Sequence, residues 1–382
     1  MAAKSSKKPT ENVLPALSVD AAVVPALLSF FEAHKRDLPW RRTRDPYAVW
    51  VSEIMLQQTR VEAVIPYYER FMQVLPNVTA LAACPDDQLF KLWEGLGYYS
   101  RVKNMRRAAQ VMVQNGMTTL PQTHVALLSL PGIGQYTAGA IASIAWGLPV
   151  PAVDGNVLRV TARLCDCYCN ILDPAFKTAA EAAWAPLIPT DGSAGLFTQS
   201  LFELGATVCL PRTPKCEECP VRDKCRAYAA GHTTELPVRI SKTQKTICEK
   251  TVWLLTNRDN SRVVICARPD TGLLAGLYEF PNCEGTCGES AFHALFPGVT
   301  SESVTALPPA KHVFTHLIWQ MIGYRVVLSD AVLDTFATIP NGTNPFVADV
   351  RDLRDKYSIP SAFGAYKKIL IPNIDKKKGK VK

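Results

Sequence analysis

Residues 128–147 read LSLPGIGQYTAGAIASIAWG. A short apolar helix runs into Pro131-Gly132-Ile133-Gly134, and a second helix follows from Tyr136 to Trp146, where Gly147 closes it. The two glycines free the backbone for a tight turn whose N–H groups point outward at a helix start. That geometry holds a phosphate without side-chain charge. An ordinary helix–helix turn remains the alternative for a lone PGIG. The phosphate-binding helix-hairpin-helix gains weight from Asp154, which follows in VPAVDGNVLRV beside another helix start.

Charge fits this reading. The chain has 382 residues and a formal net charge of +8. Three Lys against one Glu in residues 1–11, and seven Lys against one Asp in residues 366–382, carry the whole excess. Residues 1–18 and 366–382 are therefore predicted to be solvated basic tails around a formally neutral body. A backbone-amide grip on DNA does not need a basic body. Apolar runs such as AGAIASIAWGLPVPAV are interrupted by Gly and Pro and are too short to span a bilayer, so no membrane is expected.

Further along, Cys209, Cys216, Cys219 and Cys225 stand as C-x6-C-x2-C-x5-C. One close pair with a single cysteine out on each side suits a cubane [4Fe–4S] cluster, whose irons each take one thiolate. Structural zinc, which prefers two tight pairs or a Cys pair with a His pair, fits less well but stays open on spacing alone. The opening MAAKSSKKPT has no apolar core of a signal sequence, so disulfides are not expected. Cys165, Cys167 and Cys169 read as small packing residues at a helix end.

From residue 19 to 228 the pattern is helical. Pro85-Asp86-Asp87 opens a helix that reaches Trp93 and stops at Gly95, and Thr123 begins another. Residues 229–246 are polar and aperiodic and predict a linker. Beyond them TVWLLTN, SRVVICAR and WQMIGYRVVL are β-rich runs between Gly, Pro, Asn and Asp. The fold class is multidomain: an all-α helix-hairpin-helix domain with a cysteine loop, then a smaller α+β domain at 247–365.

LPGIG, then VDGNV, then the cysteine window, in this order, resembles the endonuclease III superfamily of base-excision DNA glycosylases over roughly residues 30–228. PWRRTRDPYAVWVSEIMLQQTRVEAVIPYY, WEGLGYYSR and HVFTHLIW within the β-rich extension resemble the adenine DNA glycosylase family. The resemblance implies excision of adenine mispaired with 8-oxoguanine or guanine in double-stranded DNA, a [4Fe–4S] cofactor and a monomer. A bacterial cytoplasm, or a nucleus in a eukaryote, is the expected compartment. Superfamily members that also cleave the strand carry a lysine in LPGxGxKTA; here Tyr136 stands in its place, so no Schiff base is expected there.

Breaking the bond between adenine and deoxyribose needs an acid on the base side and a negative charge near the sugar cation. The resemblance puts Glu53 and Asp154 in these roles. Glu53, flanked by Trp50 and Leu56 on its helix, is expected to have a raised pKa and to protonate the base. Asp154, beside Gly155 and Asn156, is expected to stay ionised and support the sugar; a plain helix N-cap is its alternative. Tyr136 and Asn156 complete the catalytic set. Trp40, Arg41 and Gln199 would line the adenine pocket, and Gln58, Thr59, Leu96 and Tyr98 would enter the stack. Gly132 and Gly134 would hold the backbone, and Arg212, Lys215, Arg222, Lys224 and Arg226 would make the cysteine loop a phosphate-contacting patch.

The second domain resembles the Nudix-like domain of the same family, which reads the lesion opposite the adenine. GLYEFPNCEGTCGESAFHALF lacks a REx2E-type run of acids, so no pyrophosphatase activity is expected. Phe314-Thr315-His316 stands where the family usually has Phe-Ser-His, and the extra methyl of Thr315 alters the fit. His312 and His316, without carboxylates nearby, are not expected to bind metal. Three rivals remain: a bifunctional pyrimidine glycosylase/lyase of the same fold, a DNA-lesion binder without activity, and a zinc-stapled nucleic-acid adaptor.

Overall fold

A computed structural model describes residues 15–241, 244–334 and 345–372. The chain gathers into two compact units, Met1–Ala82 with Asn104–Lys242 and Ala83–Lys103 with Thr243–Lys382. Residues 83–103, expected in the helical domain, thus group with the C-terminal unit. The helices, in chain order, are α1 (Val23–His34), α2 (Pro46–Leu56), α3 (Val61–Val74), α4 (Val78–Ala83), α5 (Asp86–Trp93), α6 (Ser100–Gln114), α7 (His124–Leu128), α8 (Gln135–Trp146), α9 (Gly155–Leu164), α10 (Pro174–Trp184), α11 (Ala194–Thr207) and α12 (Arg226–Ala229). Among the described residues no helix is long and apolar enough to cross a membrane.

The helical unit packs stripes at helical spacing: Val23, Leu27 and Phe30 of α1, Val157, Val160 and Leu164 of α9, and Phe197, Leu201 and Leu204 of α11 meet in one core. α2 differs. Asp45 caps it through the Tyr47 amide, Pro46 sits in its first turn, and every residue from Tyr47 to Met55 is buried. A helix buried all round carries its one carboxylate, Glu53, into the interior.

α7 and α8 form the expected hairpin. Gly132 takes φ +77°, and a Cβ there would come within 2.6 Å of the Asn104 Cβ, so only glycine fits this turn. Inside α8 a Cβ on Gly139 would meet the Pro151 carbonyl oxygen at 2.1 Å, which lets the chain leading to Asp154 lie against the helix.

The second unit is built on a sheet of strands β1 (Thr246–Thr256), β2 (Arg262–Ala267), β3 (Tyr278–Glu279), β4 (Asn282–Glu284), β5 (Ser303–Val313), β6 (Leu317–Val327) and β7 (Pro345–Asp349), with short helices α13 (Ala291–Leu295), α14 (Asp330–Asp334), α15 (Asp352–Asp355) and α16 (Gly364–Leu370). The order is β3-β2-β1-β6-β5, with β4 also on β1 and β7 on β2. β1 and β6 run parallel and the other pairs antiparallel. The run VWLL is apolar throughout because both faces are covered: Val252 and Leu254 enter one core, Trp253 and Leu255 the other. Pro308 and Pro309 interrupt β5, where the register shifts between Leu307 and Ala310, since proline brings no ladder donor.

Three boundary expectations change. Residues 366–372 are not tail: Tyr366, Leu370 and Ile371 belong to the core of the second unit. Charge composition misled there because Lys367 is folded in by its amine, which bonds Glu94 at 2.6 Å. The linker is strapped down over much of its length, with Leu236 buried and Val238 accepting from the Ile171 amide at 3.0 Å. Leu17, read as tail, packs on the helical core, while residues 1–14 and 373–382 of the predicted tails lie outside the described residues.

Candidate active site

A cleft of about 800 Å³ opens in the helical unit, and Glu53, Asp154, Tyr136, Asn156, Trp40, Arg41, Gln199, Gln58 and Thr59 all line it. Residues far apart in sequence thus share one wall-to-wall space that is large enough for a nucleobase.

Glu53 is 5% exposed, and its Oε2 accepts a 2.5 Å hydrogen bond from the Tyr136 hydroxyl. Burial pushes its pKa up to about 7; the Tyr136 bond and Arg41 oppose this, and the negative charge of Asp154 reinforces it. A carboxyl near 7 is protonated often enough to give a proton at neutral pH. The pKa of Tyr136 is itself raised well above the ordinary tyrosine value, first by burial and then by Glu53 and Asp154. Tyr136 therefore acts as a neutral donor.

Asp154 is the N-cap of α9. Its Oδ1 accepts from the Asn156 and Val157 amides at 2.9 and 2.8 Å, and its Oδ2 from the Asn156 side chain at 2.8 Å. The cap is real, and it also aims the carboxylate into the cleft. Burial raises the pKa of Asp154 above its ordinary value, which the sequence reading did not anticipate, while the amide bonds and Arg159 act against that rise. Asn156 is fixed in turn by Arg159, which donates to its Oδ1 at 2.9 Å and to the carbonyls of Gly205 and Cys209 at 2.7 and 2.8 Å.

Arg36 and Arg41, which line the cleft, both pair with the fully buried Glu203, each at 2.7 Å. Burial drives its pKa up, yet the bonds from the two guanidinium groups prevail and hold it at about 2. Arg41, so anchored, lies 5.1 Å over the Phe31 ring. Trp40 is buried edge-on to Tyr68, and the Gln199 amide bonds its own helix at Gly195. Sequence reasoning missed Arg36, Glu203, Arg159 and Arg163. Glu203 and Arg36 are 167 positions apart, with no local pattern to join them. Asn156, Arg159 and Arg163, on one face of α9, did offer a signal: polar and charged side chains at helical spacing on a largely buried helix.

Gln58 takes φ +59° in the turn after α2, where the Thr59 amide bonds the Leu56 carbonyl. In the second unit, Phe314, Thr315 and His316 form the tip of the β5–β6 hairpin, closed by the Phe314 amide on Leu317. Phe314 packs on His312 and Trp319, while Thr315 and His316 are exposed. Tyr98, with φ +48° and an exposed ring, brings its hydroxyl 3.3 Å from the Thr315 hydroxyl; Leu96 is buried beside it.

The chain is similar to known proteins along most of its length. Residues 51–186 match the HhH-GPD superfamily base excision DNA repair protein model, residues 251–367 a NUDIX domain, and residues 209–225 the iron-sulfur binding domain of endonuclease III. The adenine DNA glycosylase of Mus musculus is 36% identical over 81% of this chain and 71% of its own length. That of Buchnera aphidicola subsp. Baizongia pistaciae is 35% identical over 65% of this chain and 69% of its own. The chain belongs to the adenine DNA glycosylase family. The Arabidopsis thaliana member is 38% identical over 67% of this chain, and the match spans only 46% of that longer protein.

The family's cofactor is a [4Fe–4S] cluster, and the cysteine loop fits it. Cys209, Cys216, Cys219 and Cys225 line one pocket with Arg163, whose guanidinium donates to the Cys209 sulfur at 3.2 Å and so offsets thiolate charge. Among the described residues no three His, Cys, Asp or Glu side chains are gathered around a single-ion position. These four thiols would hold the cluster, which when bound cross-links the loop. The expected phosphate patch is weaker than composition implied: Lys215, Arg222 and Lys224 are ion-paired with Glu218, Glu217 and Asp20. Cys167 and Cys169 are core residues around Phe176.

Proposed function

We propose that this protein hydrolyses the N-glycosidic bond of adenine opposite 8-oxoguanine or guanine in duplex DNA, without cleaving the strand. One observation carries the reading: a buried carboxyl poised near pH 7, bonded by Tyr136 where a lyase would need an amine, shares its cleft with a second, capped carboxylate. The adenine rotates out of the duplex into the cleft, between Trp40, Arg41 and Gln199. Glu53 gives its proton to the base, which then leaves as a neutral purine rather than an anion. Asp154, oriented by Asn156 and the α9 amides, faces the sugar and stabilises its positive charge. Glu53, now ionised, then accepts a proton from the attacking water.

The Gly132–Gly134 turn holds a phosphate through amides at the start of α8, and Gln58 and Tyr98 fill the gap in the stack. The β5–β6 tip, with Thr315 and His316 exposed, reads the base opposite the adenine; the second unit hydrolyses no pyrophosphate. The enzyme acts as a monomer on DNA, in the cytoplasm of a bacterium or the nucleus of a eukaryote.

Base release from duplexes with adenine opposite 8-oxoguanine, G, C and T tests the substrate. Release opposite 8-oxoguanine and G, and little opposite C or T, is expected; pyrimidine release instead would overturn the reading. Borohydride trapping should capture little covalent complex.

A further inference from the structure

The segment between α5 and α6 is bent in a way that needs explanation. Gly95, Gly97 and Tyr98 all have positive φ, at 105°, 69° and 48°. For tyrosine this backbone is unfavourable, and it persists only where surrounding contacts impose it. Those contacts converge on Arg101. One guanidinium nitrogen donates to the carbonyls of both Leu96 and Gly97, each at 3.2 Å. The guanidinium carbon lies 5.2 Å from the Trp93 ring centre and 5.5 Å from that of Tyr98. Trp93 adds its indole N–H to the Gly97 carbonyl at 3.0 Å, and the Arg101 amide closes on the Tyr98 carbonyl at 2.9 Å.

We propose that Arg101 is the positioning residue of the wedge: its planar cation, held between Trp93 and Tyr98 and bonded to two loop carbonyls, keeps the Tyr98 ring presented for insertion into DNA. The inference rests on Tyr98 acting as a wedge, as proposed above. Arg101 acts through Tyr98 rather than on the base or the sugar. Its effect is to remove conformational freedom from Tyr98 before DNA arrives, so that ordering the wedge does not draw on the free energy of opening the duplex. Burial lowers its pKa to about 10, which leaves the group charged at neutral pH. A lysine would supply charge and donors for the carbonyls but no plane to lie against two rings.

The test uses full-length, cluster-loaded protein and duplexes with adenine opposite 8-oxoguanine. Arg101→Met should slow single-turnover adenine release roughly tenfold or more, and should lower the fluorescence gain of a 2-aminopurine placed beside the target, with weaker change in affinity for undamaged duplex. Arg101→Lys should recover only part of the loss. Because Arg101 acts through Tyr98, the double variant with Tyr98→Ala should be no slower than Tyr98→Ala alone. Additive losses, or full activity in Arg101→Lys, would overturn the assignment. If Tyr98→Ala by itself leaves base extrusion intact, the wedge reading has failed instead. Should Arg101→Met not fold, the lysine variant and its cycle with Tyr98→Ala carry the decision.

Discussion

The helical unit buries two carboxylates, Glu53 and Glu203, and treats them oppositely. Glu203 on α11 meets two guanidinium groups and is held at about 2, whereas Glu53 on α2 meets a tyrosine hydroxyl and a second carboxylate and rises to about 7. Burial acts on both in the same direction, so the partners decide. A carboxylate with paired cations is a fixed structural charge; one without them is a proton reservoir.

Their linkage to stability has opposite sign. Glu53 binds its proton more tightly folded than unfolded, so its contribution is complete below the ordinary 4.5 and is lost as pH rises towards about 7. Glu203 contributes above 4.5 and loses that contribution as pH falls towards about 2.

The sharpest attempt to break the contrast is Glu53→Gln. Removing the acid should lower adenine release by roughly 10³-fold, at the middle of the range for a positioned acid–base group. The same variant should be more stable than wild type at pH 8, by on the order of 3 kcal/mol, because no buried charge then forms. Denaturant melts at pH 5 and pH 8 check this, and equal pH dependence in both proteins would contradict the assigned pKa.

Asp154→Asn comes next, with a loss of roughly 10²-fold in single-turnover rate and little change in melting, since asparagine caps α9 as well as aspartate does. Glu203→Gln should act chiefly on the fold. It leaves Arg36 and Arg41 without their buried counter-charge and should cost about 3 kcal/mol of stability in denaturant titration.

The smallest effect belongs to Tyr136→Phe. Wild-type release should fall as pH rises above about 7, when Glu53 loses its proton. The Tyr136 bond lowers the pKa of Glu53, so its removal should move that limb to higher pH while lowering the plateau only roughly tenfold. A limb that stays in place would show that Tyr136 does not tune the acid.

Much of this was legible in the sequence where chemistry is local. PGIG, VDGNV and the cysteine spacing lie within short stretches whose turn and ligand requirements can be read directly. β1 was legible as a continuous apolar run, because a strand covered on both faces leaves no alternation to confuse the reading. Boundaries were less so: Lys367 and Lys368 look like a solvated tail, and nothing local says that Tyr366 and Leu370 fill a core. The raised pKa of Asp154 was also hidden, since a capping aspartate looks the same whether its surroundings are wet or dry.

By itself, the sequence determined the hairpin that can hold a phosphate, the four-thiolate loop, the tyrosine where a lyase needs an amine, and Glu53 on a helix too apolar to face water. Spacing, periodicity and residue chemistry act over a few residues and survive in one dimension. Only the tertiary structure decided what surrounds each buried carboxyl. Protonation depends on the groups around a buried oxygen, and Glu53 meets the Tyr136 hydroxyl and the negative charge of Asp154 while Glu203 meets Arg36 and Arg41, through contacts that span up to 167 positions of the chain.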